Sequence, residues 1–401
     1  MQIKNRNFSK SLLTVLTAVC ALAVANLYYD QVLLIDISKY FLVSASTSGL
    51  LVTSIQIGYT IGLLLLVPLG DMISRRTLIL SGLIFSAIFI FLITIISSFY
   101  LIVVVGFFLG LSTFFAQVII PFVSSHTPAE KRSSRVSHLL TGIFLGVLFG
   151  RVFGGFVGQF LGWKAVHQFA AAIMLIAAFY LYFTLPDDQT EKEKSYKKTM
   201  GSLLPLLKQE KVLRETIIFG TSAFCVFNIF WVSLSFILGN APYHYGSAVV
   251  GTFGFIGIAG TLAAGFSGKL ADSKKVDVWN ILALSIMLVS FLVLGIGWNR
   301  IFVLIFVTFI LDIGSRMNTT INQGRNYRLN SQNHSRYSSL YMVFYYLGGS
   351  LGSLIGVYVY HTFGVIGIVL AGCIIFCAVY AYFLISRIRA RRSIFPLHGY
   401  R

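Results

Sequence analysis

Acidic residues are scarce in this chain, 13 among 401, and charged residues of every kind reach only 11%. A soluble domain carries roughly a quarter charged residues, so this chain cannot cover itself against water. Cysteine is equally thin. Cys20, Cys225, Cys373 and Cys377 all lie inside apolar stretches, and no His or acidic residue stands near them at ligand spacing. They read as small packing residues, and no metal site is expected. Also missing are a G-x-x-x-x-G-K-[ST] run and a G-x-G-x-x-G run placed between a strand and a helix. A nucleotide-driven pump has nowhere to bind its fuel. No nucleophile and base cluster together, so neither an enzyme nor a cofactor is expected.

What the chain does have is long apolar runs, with 57% apolar residues and a mean hydropathy of +0.83. A bilayer core about 30 Å thick takes about 20 residues of helix. Continuous rather than alternating apolar blocks select helices over a barrel. Twelve spans follow: 11–34, 47–69, 77–97, 99–123, 136–161, 164–185, 213–238, 246–270, 278–297, 300–321, 336–360 and 363–386. Turns as short as Ser97-Ser98 and Gly297-Trp298-Asn299 make the flanking spans antiparallel neighbours.

The net charge of +18 is unevenly placed. One set of alternate loops holds Lys4, Arg6, Lys10, Arg75, Arg76, Lys131, Arg132, Arg135, Lys269, Lys274 and Lys275, with the 187–214 loop, the Arg316–Arg336 segment and the Arg387–Arg401 tail. The opposite set keeps Lys39, Lys164 and Arg300. By the positive-inside rule both termini are expected in the cytoplasm. The basic loops are expected to meet anionic lipid rather than nucleic acid. Reading the first block as a cleaved signal peptide, with Ala21-Leu22-Ala23 as the cleavage site, would invert this pattern, and we reject it.

The chain also repeats itself. Asp71 precedes Arg75-Arg76, and 201 residues later Asp272 precedes Lys274-Lys275. Gly146, Gly150 and Gly154 recur 202 residues on as Gly348, Gly352 and Gly356, and Gly162 recurs as Gly364. The expected fold is all-α and integral to the membrane, with twelve transmembrane helices in two six-helix bundles related by a pseudo-two-fold axis. Residues 1–185 form the first bundle, 186–212 a charged cytoplasmic linker, 213–386 the second bundle and 387–401 a basic cytoplasmic tail. Glycines at four-residue spacing give each bundle a face for close helix packing.

Gly70-Asp71-Met72-Ile73-Ser74-Arg75-Arg76 resembles the signature that major facilitator superfamily transporters carry between helices 2 and 3. Thr127-Pro128-Ala129-Glu130-Lys131-Arg132 is similar to their loop before helix 5, and the run from Gly142 to Gly162-Trp163-Lys164 to the helix 5 motif of drug–proton antiporters. Ala25-Asn26-Leu27-Tyr28-Tyr29 and Gln56-Ile57-Gly58-Tyr59 look like a bacterial efflux branch. Two positions depart from the pattern. Arg151 stands after Gly150 where the antiporter motif has proline, and Gly106 stands near the place of the usual helix 4 arginine. The resemblance implies a multi-pass protein of the bacterial inner membrane. It also implies a conformational latch built from Gly70, Asp71, Arg75 and Arg76, with Asp272, Lys274 and Lys275 as its second copy.

Ionisable residues inside a span are costly and mark function. Asp312 lies twelve residues into helix 10, about 18 Å deep at 1.5 Å per residue. The resemblance puts helices 1, 4, 7 and 10 around a central cavity, where Asp312 would serve proton coupling; the alternative is an i,i+4 ion pair with Arg316. Arg151 could meet an anionic substrate or pair with Asp30. Asn26, Tyr29, Gln56, Tyr59 and Gln117 are candidate cavity residues in the first half. Asn228, Trp231, Tyr341 and Tyr345 are those of the second. Amides and aromatic faces together suit an amphipathic organic molecule. His126, His138, His244 and His361 fall at span ends and read as surface groups. The expectation is a monomeric secondary transporter exporting small amphipathic organics by alternating access, coupled to protons. The alternatives are a siderophore or carboxylated-metabolite transporter and, from another class, a non-transporting membrane sensor.

Overall fold

The computed structural model describes residues 9–187, 196–271, 273, 275–329 and 334–394. Among them the secondary structure is helical throughout. The first half runs α1 (Lys10–Ala25), α2 (Tyr29–Phe41), α3 (Ala45–Leu65), a 3-10 turn (Val67–Asp71), α4 (Arg75–Ile95), α5 (Phe99–Ser112), α6 (Phe115–Ser125), α7 (Ala129–Leu161) and α8 (Trp163–Thr184). After α9 (Tyr196–Gln209), the second half runs α10 (Lys211–Gly239), α11 (Ser247–Ala271), α12 (Val276–Gly297), α13 (Ile301–Tyr327) and α14 (His334–Ile394). Ten helical stretches are long and apolar enough to cross a membrane. One of these, Arg336–Ile388, turns back at Gly364 and crosses twice, and α11 adds the remaining crossing, which makes twelve among the described residues. Large apolar side chains point outward, with Ile296 88% and Phe302 80% exposed, as a surface solvated by lipid requires.

Two crossings are interrupted where a single helix is expected. Between α1 and α2, Leu27 N–H donates to Val24 O and Tyr28 N–H to Ala25 O, short three-residue links that break the helical ladder. The first crossing reaches Phe41 instead of ending near residue 34. Between α5 and α6 the Thr113 hydroxyl donates to Leu109 O, a local bond that competes with the helix. Pro121 inside α6 has no N–H for the carbonyl four residues back, which frees the Gln117 backbone.

The halves share a plan of close approach. A Cβ on Gly146 would sit 2.2 Å from Ala21 O, one on Gly150 2.8 Å from Ala25 O and one on Gly154 3.2 Å from Tyr29 O, so α7 lies on the first crossing. The same geometry recurs between α14 and α10, at 2.2 Å from Gly348 to Thr221 O, 2.1 Å from Gly352 to Cys225 O and 2.8 Å from Gly356 to Ile229 Cα. Each of these helices then turns sharply on a positive-φ glycine, Gly162 at 87° and Gly364 at 62°, a conformation that a Cβ strongly disfavours. The halves meet where α7 packs on α11, α3 on α14 and α2 on α10. Within the 186–212 segment, α9 is tied to α3 by Tyr196 Oη donating to Leu65 O at 3.1 Å.

Candidate functional site

Between the halves lies a cavity of about 340 Å³, lined by the ends of α3, α6, α7, α13 and α14 that face the basic loops, including Leu63, Gln117, Leu140, Gln323, Tyr327 and Met342. It continues inward to a chamber of about 50 Å³ that shares Gln117, Leu140, Gln323 and Met342 and adds Tyr28, Phe144, Phe224, Phe227, Arg316 and Tyr345. Tyr345 stacks on Phe224 at 4.0 Å and 14°, which gives the chamber a flat aromatic wall.

Beyond the chamber the halves are sealed. Asn228 Oδ1 accepts from Gln31 Nε2 at 3.1 Å and from Gln56 Nε2 at 3.0 Å, so one side chain of α10 receives two amides from the other half. Ser353 of α14 donates to Gln56 Oε1 at 3.0 Å, and Arg151 Nη2 donates to Gln31 Oε1 at 3.3 Å. Further out, Gln159 Oε1 accepts from Ala248 N–H at 2.9 Å. Gly155 meets α11 so closely that a Cβ there would lie 2.4 Å from Ser247 O. A water-accessible path exists on the basic face, while a buried inter-half amide network closes the opposite one.

The ionisable groups take partners other than those weighed above. Asp30 does not pair with Arg151: its Oδ1 lies 3.1 Å from His167 Nε2, both side chains almost fully buried. His167 Nδ1 bonds the Trp163 carbonyl at 3.0 Å. An acceptor-only carbonyl makes Nδ1 the N–H donor. His167 sits only four residues into α8, so its position resembles a span end, and it escapes a reading that looks for isolated charges. Removing one partner of a buried pair strands the other, at a cost of ~3–5 kcal/mol. His167→Ala is therefore expected to lower the melting temperature of the detergent-purified protein markedly, and an unchanged value would show that the pair contributes little.

Arg151 is 1% exposed and lies beneath Trp231, 3.4 Å from the ring centroid. Asp312 is also 1% exposed. Arg151 and Arg316 act on its carboxylate as charges and Trp231 as a hydrogen-bond donor; Arg316, the i,i+4 partner in the alternative reading above, acts at a distance rather than as a bonded pair. Arg316 instead holds its guanidinium 4.9 Å from the Phe144 ring, at the chamber wall.

Of the candidate cavity residues, Gln117 and Tyr345 line the chamber, and Gln56 and Asn228 form the closure. Tyr59 packs edge-on against Tyr346 at 4.6 Å and receives Gln117 Nε2 at 3.5 Å. Asn26, Tyr29, Trp231 and Tyr341 are buried outside the chamber lining. Gln31, Ser353 and Arg316 gain importance that composition did not give them. A stripe on α13 was the available signal: Asp312, Arg316, Thr319, Gln323 and Tyr327 fall three or four residues apart, on one helical face.

On the basic rim, Arg75 Nη2 lies 3.5 Å from Asp71 Oδ1 and Arg75 Nη1 donates to Ser125 Oγ at 3.2 Å. Arg76 pairs with Asp187 and donates to Tyr182 O at 2.6 Å. These contacts join the first half to itself and to the start of the linker at Asp187, and Gly70 is buried beside Arg75 and Leu78. Asp272 and Lys274 lie outside the described residues, and Lys275 is exposed in a turn. In the second half Arg325 bridges Glu215 at 2.8 Å and Asp277 at 3.4 Å.

The family model described as Major Facilitator Superfamily matches residues 13–324. The transporter YgaY of Escherichia coli, uncharacterized by its own description, is 34% identical over 372 residues, 92% of this chain and 94% of its own length, in both the K12 and O157:H7 strains. A bacterial homolog of the human lysosomal transporter Spinster, crystallised inward-facing and occupied, superposes with a TM-score of 0.75 at 13% identity, over 95% of this chain and 97% of that one.

Proposed function

Because the chain belongs to the Major Facilitator Superfamily, we propose that it is a secondary transporter that exports small amphipathic organic compounds by alternating access, driven by protons. The cavity between the halves carries this reading: it opens on the basic face and is closed beyond the chamber by bonds that cross between the halves. Such bonds can break and reform as one bundle rocks against the other. The positive-inside rule assigns the open face to the cytoplasm, so a substrate enters from within. Aromatic walls and the amides of Gln117 and Gln323 suit a molecule with an apolar body and a polar edge.

Asp312 is the proton-carrying group in this reading. It is buried in the second half, and Arg151, a cation that acts on it, belongs to the first. Asp71, Arg75 and Arg76 would act as the rim latch when the basic face closes, with Asp272, Lys274 and Lys275 as its second copy. The test is transport into proteoliposomes under an imposed proton gradient, with a panel of amphipathic dyes. Saturable accumulation above the level of empty liposomes is expected, collapsing when the gradient is dissipated. Equal dye movement in empty and loaded vesicles would refute the reading.

A further inference from the structure

We propose that the substrate is an organic anion, and that Arg316 is the residue that receives its charge. This rests on the transport reading and names the substrate class for it. The residues lining the cavity and chamber include one charged side chain among those described, and it is the Arg316 guanidinium. No carboxylate among the described residues shares that lining.

The charge count around the chamber points the same way. Asp312, one helical turn beyond Arg316, is flanked by two cations, Arg151 and Arg316. Two guanidinium groups and one carboxylate leave a positive charge uncompensated. The other buried acids among the described residues have partners of their own, Asp30 in His167 and Glu215 in Arg325. A positive charge at a poorly solvated wall gains most from an anion that brings its own hydrogen-bond acceptors, and a planar guanidinium matches a carboxylate or sulfonate in fork geometry. Arg151 cannot play this part in the observed state, since Trp231 covers it and Gln31 takes its Nη2.

The surroundings define the rest of the molecule. Phe144 supports one face of Arg316 and so holds it at the wall. Phe224 and Tyr345, stacked together, and Phe227 offer flat apolar surface beside it. Thr319, one turn closer to the basic face, donates to Tyr345 Oη at 3.4 Å and keeps that ring in place. The inferred ligand is a small amphipathic anion with an aromatic or similarly flat body and its charge at one end.

Three probes that share one ring system separate charge from shape: 2-naphthoate, 2-naphthamide and 2-naphthylmethylamine. Binding is measured by equilibrium dialysis against protein in nanodiscs, with empty-disc uptake subtracted, and carrier-mediated uptake is measured in proteoliposomes. The wild type is expected to bind naphthoate about tenfold or more tighter than the amide or amine, the worth of a charge-assisted hydrogen bond. In Arg316→Gln that preference should vanish, and in Arg316→Lys it should survive in part, because the charge remains and the fork is lost. A wild-type preference for the amine or amide, or no saturable binding of naphthoate, overturns the inference even if neither variant folds. So does a naphthoate preference that persists in Arg316→Gln. Saturable uptake of the amine in place of naphthoate would overturn the anion and keep the transporter. Naphthoate binding without uptake would keep the anion site and overturn transport.

Discussion

Gly155→Leu is expected to hold the protein open on the face opposite the basic loops and to stop turnover. In the observed state a Cβ at Gly155 would stand 2.4 Å from Ser247 O and 2.8 Å from Gly251 Cα, so the obstruction is backbone and cannot rotate away. Overpacking costs ~1–3 kcal/mol even where side chains can yield, and about 3 kcal/mol shifts a two-state equilibrium by more than 100-fold. The contact lies between the halves, so opening that face relieves the strain without unfolding either bundle. This separates Gly155 from Gly146 and Gly352, whose close contacts lie inside a half and would take the fold with them. Transport should fall about 100-fold or more in proportion to the lost closed state, while the melting temperature stays near that of the wild type. A cysteine placed at Ala248, buried in the closed face, should then react with a membrane-impermeant maleimide. Full transport in the variant would show that the 155–251 contact is no gate.

The second large effect is expected at Asp312. Asp312→Asn keeps the shape and removes the titrating group, so proton-driven accumulation should collapse to simple equilibration. Exchange of substrate across the membrane without a gradient should continue, since it needs only the two conformations. The carboxylate is buried and feels the charge of Arg151 from across the inter-half boundary. Burying a charge without full compensation is costly, so a change in its protonation alters how strongly the halves hold together. Accumulation by Asp312→Asn equal to that of the wild type would assign proton coupling elsewhere or deny it.

Different parts of this molecule were legible in the sequence to different degrees, for physical reasons. Lipid as solvent forces long apolar helices, so the spans announce themselves, as does the 202-residue offset from Gly162 to Gly364, each with positive φ. The four-residue glycine spacing marks a small-residue face without saying which helix lies against it. Partnerships across the fold are a different matter. Asp30 and His167 stand 137 positions apart on separate helices, and nothing local in either stretch specifies the other. Asn228 as the shared acceptor for Gln31 and Gln56 depends on how the halves dock. Arg316 looked like an accessory to Asp312 because the i,i+4 spacing permits a pair. The chamber shows instead that its side chain faces the cavity. The breaks at residues 26–28 and 113–114 follow from local bonds that outcompete the helix in otherwise apolar segments.

Alternating access is tested most directly by paired spin-label distances on the two faces, in a cysteine-free background. Labels at Leu42 and Tyr245, both exposed, report the closed face, and labels at Glu130 and Tyr327 report the basic one. The comparison is between the wild type and Gly155→Leu. The expected result is reciprocal: the Leu42–Tyr245 distance lengthens in the variant while the Glu130–Tyr327 distance shortens. Lengthening on one face with no closure of the other, or no change on either, would contradict a rocking pair of bundles around the Arg316 chamber.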